Sequence, residues 1–212
     1  MSLFRMVHQE DYAVAIWRLE ESSAELSSSL ASQWGQAVLC PYPNEKRQQE
    51  FFACRMAASA LDIKPEQIDK HPQGWPILKN EGGFISFSHC KHFAAVLYSN
   101  TQANIGIDIE LISERFIKVA SRYLSPQEWE DVQVRFSEKK EMMRILCLYW
   151  TAKEALFKAV HSQNIDFQQA FQIEPIEQLT DEGSLNALFG QQQYHLHYRF
   201  EEDFCYCICI AA

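Results

Sequence analysis

Seven consecutive residues constrain this chain more than any others. Ile105-Gly106-Ile107-Asp108-Ile109-Glu110-Leu111 alternate apolar and non-apolar without a break, the period of a half-buried β-strand. Ile105, Ile107, Ile109 and Leu111 fall on one face, and Gly106, Asp108 and Glu110 on the other. Two carboxylates two residues apart on a strand lie roughly 6.5–7 Å apart at their Cα atoms and point the same way. Like charges so placed repel unless something positive lies between them. The glycine beside them leaves room for a ligand to approach the backbone. A solvated strand face accounts for the same pattern, and the strand alone does not choose between the two. What bears on the choice is Trp150-Thr151-Ala152-Lys153-Glu154-Ala155-Leu156-Phe157-Lys158-Ala159, about forty residues later.

The 212 residues suffice for one large or two small cores, and 47% apolar with 22% charged residues is ordinary globular composition. No run of 18 or more apolar residues is present, so no membrane span is predicted. The first residues carry no signal-peptide pattern, and a cytoplasmic location is expected. A formal charge of −9 argues against a nucleic-acid partner, though a local basic patch for a small phosphorylated ligand remains compatible with it. The 7 cysteines include no Cys-x-x-Cys pair. Cys205, Cys207 and Cys209 alternate as small hydrophobes of a strand, positions that cannot easily surround a tetrahedral zinc ion.

In chain order, Tyr12 to Leu19 alternate weakly and predict a strand, while Leu26 to Trp34 is ambiguous. Asn44 and Glu45 open a helix that runs to Leu61, with apolar Phe51, Phe52, Met56 and Ala60. Pro65 to Asp69 adds a short helical turn, and His71 to Pro76 is loop. Strands are expected at Phe84–Phe87 and Phe93–Ser99, with a tight turn from Ser88 to His92 between them. Helices follow at Glu114 to Tyr123, Pro126 to Arg135 (capped by Ser125) and Glu138 to Val160. The rest reads as β: Phe171 to Ile173, then a hairpin of Tyr194–Phe200 and Phe204–Ile210.

The expected class is α+β. The charged-start helices at Glu45 and Glu138, each with a cation deep on an apolar face and two strands after it, suggest two related α+β halves about a pseudo-twofold. The boundary is placed between residues 103 and 104, giving halves 1–103 and 104–212.

The glycine-spaced Asp108-x-Glu110, the helical Trp150-x-x-Lys153-Glu154-Ala155-x-x-Lys158 and Phe87-Ser88-His89 before them together resemble the 4′-phosphopantetheinyl transferases. The resemblance is to the larger, surfactin-synthetase-activating type, a pseudo-dimer in one chain with its active site between the halves. It runs from about Lys46 to Phe167 and takes in Arg47, Arg55, Gly74-Trp75-Pro76 and Leu124 to Glu128.

The resemblance implies transfer of phosphopantetheine from coenzyme A to a serine hydroxyl of an acyl or peptidyl carrier protein, of fatty-acid, polyketide or nonribosomal-peptide type, with release of 3′,5′-ADP. It implies Mg²⁺ on Asp108, Glu110 and Glu154, with Glu154 also a candidate general base and Asp108, Glu154 and Lys158 the catalytic set. Hard oxygen ligands suit such an ion beside substrate phosphates. Lys158 would meet the pyrophosphate and Lys153 would line the pocket; an i, i+4 pair of Glu154 with Lys158 is the plainer account of that helix face. Arg47, Arg55, Gly74, Trp75, Pro76, Ser88 and His89 would hold the rest of coenzyme A, with Glu128 near the lysines. Trp75 departs from the family's usual Lys and could stack on adenine instead. Trp150 is expected in the core. Carrier contact is expected at Arg115, Phe116, Lys118 and Arg122, and at Lys139, Lys140, Met143 and Arg144. A single-chain pseudo-dimer predicts a monomer, and a non-catalytic binder of coenzyme A or of a carrier is the alternative.

Overall fold

The computed structural model describes residues 2–79, 82–162 and 164–211. With 36% helix and 32% strand the protein is of the mixed α+β class. It divides into two compact units, Met1–Ala103 and Asn104–Ala212.

In the first unit, β1 (Leu3–His8) and β2 (Ala13–Arg18) lead to α1 (Ser23–Trp34) and α2 (Glu45–Ser59). The short hairpin of β3 (Ile68–Lys70) and β4 (Pro76–Leu78) follows, then β5 (Phe84–His89) and β6 (Phe93–Ser99). The main sheet is antiparallel in the order β1-β2-β6-β5. Helix α2 starts where Asn44 accepts a hydrogen bond from the Arg47 amide. Its Phe52, Ala53, Met56 and Ala57 pack with Ala15, Trp17 and Val96 of the sheet, and with Leu26 and Leu30 of α1. The serine-rich α1, ambiguous in the sequence, is settled at its ends by the Ser22–Glu25 capping box and by Gly35 in the left-handed region.

The second unit opens with β7 (Ile105–Leu111), which carries Asp108 and Glu110. Helices α3 (Arg115–Val119), α4 (Pro126–Arg135), α5 (Lys139–Val160) and α6 (Phe167–Ala170) come next. Strands β8 (Phe171–Ile173), β9 (Glu182–Phe189), β10 (Gln192–Phe200) and β11 (Phe204–Ala211) complete an antiparallel sheet ordered β7-β11-β10-β9-β8. The last strand is thus inserted beside the first. Ile145, Leu148, Ala152, Ala155 and Leu156 of α5 share a core with Cys205, Cys207 and Cys209 of β11 and with Tyr194, Leu196 and Tyr198 of β10.

Two expectations change in detail. Ser88 and His89 are the last residues of β5, paired with Ala95 and Ala94, and do not belong to the turn. Pro76 opens β4, a strand position that a residue without an N–H can take. Strands β1, β3, β4 and β9 had no expectation. In β9, Gly183 lies opposite Tyr198, whose hydroxyl would stand 2.8 Å from a Cβ added there.

Candidate active site

Register decides which way the carboxylates of β7 face. Gly106, Asp108 and Glu110 lie directly opposite Cys209, Cys207 and Cys205 of β11. Residues opposite one another share a sheet face, so the acidic side of β7 is the side that α5 covers. Asp108 is accordingly buried, 5% exposed, and the solvated-face reading fails. The role expected of Gly106 also changes. A Cβ there would fall 1.9 Å from the Ala155 carbonyl oxygen and 2.8 Å from the Ala159 amide nitrogen. The room the glycine leaves is filled by the backbone of α5, not by a ligand.

That close approach brings the α5 side chains against β7. Lys158 Nζ donates to Asp108 Oδ1 and to the Ile107 carbonyl, each at 2.8 Å. Its ion pair is therefore with the strand and not with Glu154 one turn earlier. Burial, then the negative charge of Asp108 and more weakly that of Glu110, push the Glu154 carboxyl up to about 7, against the pull of Lys158. Burial and Asp108 likewise raise Glu110, which Arg115 and the indole of Trp150 partly counter. Glu110 is gripped at both oxygens: Trp150 Nε1 donates to Oε1 at 3.2 Å, and Arg115 pairs with Oε2. The sequence offered Trp150 only as core; its N–H is a polar handle beside Glu110. The indole is seated edge-on against Tyr123, with ring centroids 5.2 Å apart.

The raised Glu154 makes stability depend on pH. A carboxyl at about 7 in the folded chain, against 4.5 ordinarily, binds its proton more tightly when folded. Its contribution is complete below about pH 4.5 and is lost as pH rises through about 7. Glu154→Gln, which never ionises, should therefore match the native chain in urea denaturation near pH 4.5 and exceed it by on the order of 2–3 kcal/mol near pH 8. Equal curves at both pH values would show that the carboxyl is not perturbed.

Lys153 requires a correction. It is 0% exposed, with Nζ donating to Glu128 Oε2 (2.7 Å), the Tyr123 carbonyl (2.8 Å) and the Phe167 carbonyl (3.1 Å). All three ammonium protons are used internally, so it does not line a pocket. Burial lowers its proton affinity and Glu128 opposes that. Glu128 also closes the capping box of α4 through the Ser125 amide at 2.7 Å. The pair joins α4 to α5 beneath Trp150.

In the first unit, the half-buried Arg55 lies 3.4 Å from the centroid of Phe51 and donates to the Phe51 carbonyl. Desolvation lowers it to about 10, the mark of a cation set away from water. Arg47 is exposed, 5.9 Å from the Tyr42 ring centroid. Gly74, at φ +115°, makes the turn between β3 and β4. It sets Trp75 flat on His71, with ring centroids 4.0 Å apart. His89 Nδ1 stands 3.7 Å from Glu50, and Ser88 is buried.

Of the expected carrier contacts, Phe116 is withdrawn: it is 1% exposed and belongs to the core. Arg115 is taken by Glu110, Lys139 by Glu114, and Arg144 by Asp181 at 2.6 Å. Lys118, Arg122 and Lys140 are exposed, and Met143 is half-buried.

Among the described residues, no group of three or more His, Cys, Asp or Glu is arranged to hold a metal ion. The donor chemistry nonetheless suits a hard cation, because the charge of Asp108 raises the proton affinity of Glu110 and Glu154, and a cation among them would relieve it. Lys158 and Arg115 balance part of that charge through Asp108 and Glu110.

Comparison with known proteins adds two findings. The profile of the 4′-phosphopantetheinyl transferase superfamily matches residues 104–209, which take in β7 to β10, helix α5 and most of β11. A Synechocystis sp. protein described as a 4′-phosphopantetheinyl transferase is 28% identical over 130 residues, 56% of this chain and 52% of that relative. The match thus spans about half of the relative's length.

Proposed function

The chain belongs to the 4′-phosphopantetheinyl transferase superfamily, and from that premise we propose that it moves 4′-phosphopantetheine from coenzyme A to a serine hydroxyl of an acyl or peptidyl carrier protein. The observation that carries the reading is the meeting of Glu154 and Lys158 of α5 with Asp108 and Glu110 of β7. The serine Oγ bonds to the β-phosphorus of coenzyme A as the bridging oxygen of the pyrophosphate leaves with 3′,5′-ADP. Glu154, the candidate general base, would take the serine proton directly or through a water. Lys158 neutralises charge that develops on the phosphate oxygens. Asp108, Glu110 and Glu154 would hold Mg²⁺, which supplies Lewis-acid stabilisation of the same charge. Trp150 and Arg115 hold Glu110 in place for that role.

In the first unit, Arg55 and Arg47 are proposed for the phosphates at the adenosine end, with Ser88 and His89 beside them; guanidinium forks suit phosphate. Trp75, flanked by Gly74 and Pro76, would offer its ring to adenine. These assignments, and the single-chain surfactin-activating type with a monomeric native mass, rest on the sequence resemblance. Lys118, Arg122, Lys140 and Met143 are the retained candidates for carrier contact.

The test is the intact mass of an apo carrier protein incubated with this chain, coenzyme A and Mg²⁺, with a chelator control. A metal-dependent gain of one phosphopantetheine is expected. Glu154→Ala or Asp108→Ala should slow it ~10²-fold or more. An unchanged mass with both acyl and peptidyl carriers would favour the non-catalytic binder, and full activity of either variant would overturn the site.

A further inference from the structure

Phe51 and Arg55 stand four residues apart on α2, so their side chains share one helix face. The Arg55 Cζ lies 3.4 Å from the centroid of the Phe51 ring, and Nη1 donates to the Phe51 carbonyl at 3.2 Å. At that distance a guanidinium standing on edge would drive a nitrogen into the ring, so it lies flat on the ring face. The ring is itself held from two sides. Phe52 meets it edge-on with centroids 5.3 Å apart, and Tyr42 does so at 5.9 Å. Phe52 is a core residue and Phe51 packs against the same core. Among the described residues no carboxylate forms an ion pair with Arg55, and the Phe51 carbonyl alone accepts from its guanidinium. The groups whose charge acts on it are the thiols of Cys54 and Cys40 and the phenol of Tyr42. A guanidinium keeps its charge when buried, and a buried charge without a counter-ion is costly. An aromatic face offsets that cost and takes up none of the N–H groups that lie in the guanidinium plane.

We propose that Phe51 is a positioning residue for Arg55: its ring holds the guanidinium flat and partly stripped of water, leaving the other N–H groups to donate to a phosphate at the adenosine end of coenzyme A. The proposal rests on the assignment of Arg55 to that phosphate. A planar fork fixed before binding loses little freedom when the phosphate arrives. A cation set away from water also attracts an anion more strongly than a solvated one. Tyr42 and Phe52 contribute through Phe51, by stopping its ring from turning.

The experiment is calorimetric titration of 3′,5′-ADP into the full chain, beside two-dimensional NMR of the arginine Nε–Hε signals. In the native chain the Arg55 Hε should lie upfield of solvated arginines, because a proton above a ring face is shielded. Arg55→Lys identifies the signal by removing it. Phe51→Leu should return the signal to the solvated position and weaken 3′,5′-ADP binding about tenfold. Phe51→Tyr, which keeps a ring, should hold both near native values. Phe51→Leu added to Arg55→Ala should weaken binding no further than Arg55→Ala alone. The native signal decides the stack even where Phe51→Leu destabilises the core. An Arg55 signal at the solvated position in the native chain, or native affinity in Phe51→Leu with weak binding by Arg55→Ala, would overturn the positioning role and leave the Arg55 assignment standing. No binding by the native chain, or native affinity in Arg55→Ala, would overturn that assignment and the proposal with it.

Discussion

Gly106→Ala should cost the second unit about 3 kcal/mol or more, at the upper end of overpacking penalties. The reason is what the new methyl would meet. Its nearest neighbours are the Ala155 carbonyl oxygen at 1.9 Å and the Ala159 amide nitrogen at 2.8 Å, both backbone atoms of α5. A side chain could rotate away, but a helix backbone must move as a body. Moving it lifts Lys158 from Asp108 and the Ile107 carbonyl, so the damage reaches the candidate site. Urea denaturation would measure the loss, with near-UV circular dichroism following the aromatic packing around Trp150. Native stability in the alanine variant would mean that strand and helix do not approach as closely as described.

Lys153→Ala should be as severe, about 3–5 kcal/mol, because it strands Glu128 without its buried counter-ion and frees the carbonyls of Tyr123 and Phe167. The informative comparison is the double variant Lys153→Met with Glu128→Gln, which removes both charges and keeps the volume. A buried ion pair replaced as a pair costs far less than one broken on one side. If the double variant is no more stable than Lys153→Met alone, an uncompensated Glu128 charge is not the cause of the loss.

Lys153 also shows where the sequence misleads. It adjoins Glu154 in the motif, and the resemblance placed both in one pocket. On a helix, neighbours in sequence point about 100° apart, whereas residues three and four apart share a face. Glu154 and Lys158 therefore turn together toward β7, while Lys153 lies with Trp150 and Phe157, whose aromatic character marks that face as an inner one. The signal was present in the spacing. Helices α2, α4 and α5 were legible because caps and uninterrupted helix formers act locally, as with Asn44 and Ser125. Strand β7 was legible through its alternation, yet in the sequence its polar side could not be told from a solvated face. Only pairing with β11, nearly a hundred residues on, reveals that α5 covers it. Strand β9 escaped because Gly183 and Asn186 lower its β-propensity, and Tyr198 on the next strand supplies what packs over the glycine.

The place of β11 between β7 and β10 also governs the order of events during synthesis. β7 emerges from the ribosome with no sheet partner until Phe204–Ala211 follows. At translation rates of about 5–20 residues per second, the delay is on the order of 5–20 s. Throughout it, an isoleucine-rich strand carries an unpaired edge of the kind that recruits other chains. Asp108 and Glu110 are then solvated and charged, and their mutual repulsion between nascent chains disfavours such pairing. The carboxylates that later face α5 thus serve first as guards of solubility while the chain is still being made.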